Sequence, residues 1–304
     1  MRPLTTLIHA FSFPTGMAQS TFRLQLGGAF TERFYSVMET PEGDLMVAGT
    51  SLTNALGDAS ELWVCRVSAQ GDLLWSRFYG GPSNRFGGFL APATDGHFWL
   101  CGATWSKGAG CDAIWLLKLE GNGDVVFETT FGTPGSEFPE GIVATDDRGV
   151  ASVGTALPDT TQRNSMITLW KASADGQLDF TQGYGDPHLD LGRAVANASD
   201  GGFVLAGTVN EAPPHADADL RFFVVRTDPV GDTLVPGNAH LPISPPSSRA
   251  SPTRSSNLVM AVSSQSEIWR CGCCPKETSL GPTATWAAVG PSQRMTLLAA
   301  EAGK

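Results

Sequence analysis

One phrase is repeated four times along the chain at an almost constant step, and that repeat limits the fold more than any other feature. Ala48-Gly49-Thr50, Gly102-Ala103-Thr104, Val153-Gly154-Thr155 and Ala206-Gly207-Thr208 carry marker glycines that lie 53, 52 and 53 residues apart. A second set, beginning at Gly27, Gly80, Gly132 and Gly185, keeps the same three steps, and an aromatic stands five residues before each: Phe22, Trp75, Phe127 and Phe180. Two independent rulers with one period define a repeat protein, in which each unit buries its faces against its neighbours.

The second unit shows the grammar most clearly. Residues 85–94 read as a strand a, Asp95-Gly96 as a tight turn, and 97–104 as a strand b with Phe98, Leu100 and Gly102 in alternation. Asp-Gly between alternating apolar segments is a short-hairpin signal. After a loop over 105–112 come strand c at 113–119, the turn Asn122-Gly123-Asp124, and strand d at 125–131. Four antiparallel strands per unit of this length predict an all-β chain built of β-propeller blades: four clear repeats and a degenerate fifth, in a ring that is expected to be incomplete or imperfect. The 35 glycines and the two-residue alternation exclude a helical repeat. The tryptophans Trp63, Trp99, Trp115 and Trp170 fall on strands and are read as core.

Three regions are expected. Residues 1–20 form an N-terminal segment with a short apolar stretch and Gly16-Met17-Ala18, which reads either as a cleaved signal or as sequence ahead of a start at Met17. Residues 21–235 hold the repeats. Residues 236–304 hold the decayed fifth unit, where Glu267-Ile268-Trp269-Arg270-Cys271 echoes Glu61-Leu62-Trp63-Val64-Cys65, and where Pro and Ser over 236–256 favour open chain. Phe22 to Leu26 matches a strand d with no a, b and c before it, so it is expected to supply the last strand of a closing blade, or the ring is completed by another chain.

The net charge of -10 argues against nucleic acid as a partner. No apolar run reaches the roughly 20 residues that a membrane-spanning helix needs. The six cysteines do not recur from unit to unit and form no disulfide framework. No cofactor is expected: Gly108-Ala109-Gly110 lacks the helix context of a dinucleotide loop. Cys271-Gly272-Cys273-Cys274 has no partner pair at zinc spacing.

With the repeat laid out, the pattern of Phe78-Tyr79-Gly80-Gly81, Asp200 to Thr208 and Asp112 to Asp124 resembles the β-propeller repeats of secreted and surface bacterial proteins of the SBBP type. The likeness covers residues 22–234 well and 235–304 in fragments. It implies an extracellular or cell-surface scaffold or binding module, with a cytoplasmic one left open, and its motif carries no catalytic residues. A more distant likeness, of Gly71-Asp72-Leu73-Leu74-Trp75 to pyrroloquinoline-quinone-type propeller repeats, concerns blade packing and does not imply that cofactor.

Strand direction places the b–c loops and d–a connections on one rim and the tight turns on the other. The b–c loops are the variable ones, so a protein or glycan ligand is expected on their rim. Its candidate residues are Glu32, Arg85, Glu137 and Asp190, which recur after the Gly-Gly pair with Arg85 interrupting the acids, together with Trp105, His215, Asp217 and Asp219. The acids read either as a ring of carboxylates able to hold a cation, or as caps on the N–H groups of their own turns. His215-x-Asp217-x-Asp219 reads as a solvated loop tip or as metal ligands. The leading expectation is a non-catalytic binding module. The alternatives are a glycosidase-like enzyme using Glu137 with Asp190, and a truncated fragment without independent function.

Overall fold

The computed structural model describes residues 22–53, 59–108, 111–157, 165–185, 190–210 and 220–233, with the side chains of 81–85 and 220 left aside. The described chain is all β. Among these residues no helix is long and apolar enough to cross a membrane.

The first blade is formed by β1 (Glu32–Glu39), β2 (Leu45–Leu52), β3 (Ser60–Val67) and the first part of β4 (Leu73–Pro92). The second part of β4 opens the second blade, which continues with β5 (Phe98–Thr104), β6 (Ala113–Leu119) and β7 (Val125–Phe131). The third blade is β8 (Ser136–Ala144), β9 (Val150–Leu157), β10 (Met166–Ala172) and β11 (Leu178–Tyr184); the fourth is β12 (Leu191–Asn197), β13 (Phe203–Asn210) and β14 (Leu220–Arg226). All pairings between these strands are antiparallel, each with its neighbour in sequence. From blade to blade the first strands touch, with β1 and β8 against β4 and β12 against β8, and inner strands join them, with β5 and β6 against β8 and β9 and β10 against β12.

The marker glycine has a steric cause. Each first strand carries an irregularity, at Phe34/Ser36, Gly87/Phe89, Pro139/Gly141 and Gly192/Ala194, opposite the glycine of strand b. There the two backbones come close, and a Cβ on Gly49, Gly154 or Gly207 would collide with the carbonyl oxygen of Arg33, Phe138 or Leu191. A bulge needs such a close backbone approach, and only glycine permits it. The a–b turns place Gly43, Gly96 and Gly201 at φ near +85° (86°, 84° and 85°), while in the third blade Arg148 takes that position at 69°.

Burial is organised between blades. Met46, Ala48, Leu62, Val64 and Tyr79 of the first blade meet Leu90, Phe98, Leu100, Trp115, Leu117 and Leu119 of the second. Similar layers join the second blade to the third, around Trp99 and Trp170, and the third to the fourth, around Ile167, Leu169, Phe203 and Leu205. The four strand tryptophans are all buried. β5 and β6 are buried along their whole length, because central strands of a blade are covered on both faces.

Sequence expectation and structure agree on β6 and β7 to the residue. They differ at the link between the first two blades, where β4 runs unbroken from Leu73 to Pro92 and pairs with both β3 and β5. The first seven strands consequently form one sheet. This is the link in which Arg85 stands in place of an acid, so no carboxylate is available to gather a turn.

Candidate functional site

The loop rim is built from the d–a connections and the ends of strands b and c. In the d–a turns the recurring acids accept hydrogen bonds from the backbone behind them. Glu32 Oε1 takes the N–H of Gly28 at 2.8 Å. Glu137 Oε1 takes the N–H of Thr133 at 2.9 Å and its hydroxyl at 2.5 Å. Glu137 is fully buried; desolvation raises its carboxyl pKa, the Thr133 bonds pull it down, and the charge of Asp112 adds to the rise.

Asp190 is also fully buried, and its Oδ1 takes the N–H of Asn210 at 3.0 Å. The same residues latch blade to blade through the backbone. Glu137 N–H donates to Asp112 O at 2.8 Å, and Asp190 N–H donates to Ser165 O at 3.2 Å. Ser165 Oγ returns a bond to Asp190 O at 2.8 Å. Glu32 and Glu137 thus accept from their own turns and Asp190 from the end of β13, and neither Glu137 nor Asp190 presents a carboxylate to solvent. Among the described residues no three His, Cys, Asp or Glu side chains gather into a set that could hold a metal ion.

The remaining candidates lie apart. Arg85 is on β4, with its side chain outside the described residues, and His215, Asp217 and Asp219 lie outside them altogether. Trp105 opens the b–c loop of the second blade, half-buried, beside the exposed Ser106 and Lys107. Lys107 Nζ sits 4.6 Å from the centre of the Trp115 ring and pairs with Glu128 at 2.5 Å, and Glu128 also accepts from Trp115 Nε1 at 3.0 Å. This loop is thereby folded onto the blade that carries it.

A cleft of about 350 Å³ opens at the same rim on the first blade, lined among others by Phe30, Glu32, Ser51, Glu61, Trp63 and Phe78. Glu32, Ser51 and Glu61 are consecutive cross-strand partners, so they share one face of the sheet. Beneath them Trp63 stacks on Phe78 at 5.6 Å and meets Phe34 at 4.9 Å. In the second blade the matching tryptophan, Trp115, is covered by the first blade. The cleft is therefore the space that a preceding blade fills elsewhere in the repeat.

The opposite rim carries a constellation that the sequence reading did not single out. Arg66, Lys118, Lys171 and Arg226 each pair with an acid of their own a–b turn: Asp44 at 2.8 Å, Asp95 at 2.6 Å, Asp147 at 2.8 Å and Asp200 at 2.8 Å. Two of the cations also reach the next blade, Arg66 to Gly121 O at 2.9 Å and Lys118 to Ala174 O at 3.4 Å. Burial raises the Asp95 carboxyl, but the Lys118 and His97 hydrogen bonds outweigh it and bring the pKa to about 2. Asp147 is held at about 2 by Lys171 and Thr145 against the same desolvation. The signal was present in the sequence, because these cations recur at steps of 52, 53 and 55 residues and their acids at 51, 52 and 53.

No protein-family model matches the chain, and no curated protein matches it in sequence. Among solved structures it is similar to a protein of unknown function from Bacteroides caccae, with 11% identity and a TM-score of 0.40 over 67% of this chain and 80% of that one. It is similar to the Pan2 WD40 domain of Neurospora crassa, with 9% identity and a TM-score of 0.39 over 66% of this chain and 64% of the domain. It is also similar to an endo-arabinase from Bacteroides thetaiotaomicron, with 13% identity and a TM-score of 0.36 over 62% of this chain and 72% of the enzyme. The chain spans less than two thirds of the Pan2 domain's length.

Proposed function

We propose that the chain is a non-catalytic propeller module that presents its b–c loops to a protein or glycan ligand, at the cell surface or outside the cell, as the SBBP-type resemblance implies. One observation carries this reading. The acids that recur on the loop rim are engaged in holding turns and latching blades, whereas the groups that face solvent there, Lys107 with Ser106 and the half-buried Trp105, belong to a variable loop. A catalytic pair has to reach a shared substrate, and both acids are fully buried, Glu137 bonded to its own turn and Asp190 to the end of β13. A half-buried aromatic next to exposed polar residues in a loop suits recognition of a sugar face or a peptide side chain.

The test is binding of the full chain to a panel of polysaccharides and surface-protein extracts, compared with a Trp105→Ala/Lys107→Ala variant. Binding that weakens at least about tenfold in the variant supports the reading. Hydrolysis of a glycoside by the purified chain, lost in Glu137→Gln, would overturn it in favour of the enzyme.

A further inference from the structure

The extra residue in each first-strand bulge has no opposite number in the ladder, and at this position the blades differ in chemistry. Tyr35, Gly88, Glu140 and Arg193 stand there, 53, 52 and 53 residues apart. The strand-b residue facing the bulge is a glycine every time: Gly49, Gly102, Gly154 and Gly207. The fold thus asks for the bulge and not for the side chain that it carries. A bulge re-aims that side chain, and bulges are over-represented beside functional sites.

Because the first strands touch from blade to blade, these positions are brought together. Arg193 Nη1 meets Glu140 Oε1 at 3.0 Å across the junction of the third and fourth blades. Tyr35 reaches the second blade, its ring 5.3 Å from Phe86 and 5.7 Å from Phe89. Phe86 in turn meets Phe138 of the third blade edge to face at 6.3 Å, and Phe138 stands two residues before Glu140. Gly88 adds no side chain here, since a Cβ would strike the Gly49 backbone. A row therefore runs over four blades, from Tyr35 through Phe86 and Phe138 to Glu140 with Arg193, and all five side chains are half-buried. Burial raises the Glu140 carboxyl pKa even though the charge and hydrogen bond of Arg193 lower it, so the pair is a weak source of stability. Their contact engages one of five guanidinium N–H donors and one carboxylate oxygen, and both groups keep capacity for a ligand.

We infer that this row is a saccharide-binding site along the first strands, separate from the b–c loops: a sugar ring lies on Tyr35, Phe86 and Phe138 while its adjacent hydroxyls bond the Glu140 carboxylate and the Arg193 guanidinium. Sugar rings present C–H faces that suit aromatic surface. Hydroxyl groups both donate and accept, so a vicinal pair matches a carboxylate standing beside a guanidinium. Aromatic lining with a few convergent polar groups is the composition of a small-molecule site. The two charges balance each other, which favours a neutral sugar over an ionic ligand. The inference goes beyond the loop-rim reading, which stands or falls without it.

The test is calorimetric titration of the full chain with neutral hexose disaccharides and trisaccharides, with saturation-transfer NMR as a second readout. Binding is expected, and Glu140→Gln/Arg193→Gln is expected to weaken it at least about tenfold with the far-ultraviolet β signal retained. Tyr35→Leu, which leaves the ion pair intact, is expected to weaken it at least about fivefold. Should the double variant lose its β signal, Tyr35→Leu decides alone. Binding indifferent to the row variants would overturn the inference, as would a wild-type chain that binds none of these sugars. Binding lost in Trp105→Ala/Lys107→Ala but kept in the row variants would place the sugar on the loops, overturning this site while supporting the proposed function.

Discussion

Two kinds of glycine sit in the repeat, and they differ in what a methyl group would meet. At Gly154 an added Cβ strikes the Phe138 carbonyl and the Pro139 backbone, neither of which can swing aside. At Gly43 there is nothing within 4 Å, and the cost of a side chain is confined to φ at +86°. Gly154→Ala is therefore expected to destabilise by about 3 kcal/mol, as overpacking against fixed backbone does. Gly43→Ala should cost about 1 kcal/mol, the left-handed penalty alone. Urea unfolding of both variants checks the order, and a Gly154→Ala cost no larger than that of Gly43→Ala would remove the steric account of the marker phrase. The marker was legible in the sequence because its cause recurs in every blade. Phe22 lies against Gly71, the c–d turn glycine of the first blade, and this seat was only half legible: the strand could be read, but not the turn that receives it, since contacts between units leave no spacing inside one unit.

Within a blade, the cation of strand c ties the a–b turn down and, in the first two blades, reaches the following blade. Lys118 and Lys171 are almost wholly buried at their side chains, 7% and 6% exposed, and each relies on one or two carboxylates for compensation. The acids are more exposed, so solvent screens them and their worth is read best as a pH profile. Asp95 and Asp147 have folded pKa values of about 2, below the unfolded value of about 3.9. Their contribution is fully present above the unfolded pKa and is lost as pH falls from about 4 toward 2. The melting temperature is expected to fall through that window, and the slope to flatten in Asp95→Asn/Asp147→Asn. An unchanged slope in the double variant would assign acid sensitivity to other groups. The same element shows where sequence reasoning stopped short. Asp-Gly turns announced themselves by composition, whereas the ion pairs join residues about 22–26 apart and emerge only when the repeats are aligned on one another.

At the scale of the molecule, stability follows from order in the row. Each apolar layer lies between consecutive blades, so the second and third blades are packed on both faces, while the first and fourth each have one face open among the described residues. Nearest-neighbour burial of this kind makes stability a sum over units and junctions, and opening begins at the ends. In hydrogen exchange, β5 and β6 are expected to be the most protected strands, since every residue of both is buried. β14, with Phe222 and Val224 exposed, should exchange fastest in dilute solution. Uniform exchange across all blades would instead describe a chain that opens as one cooperative body.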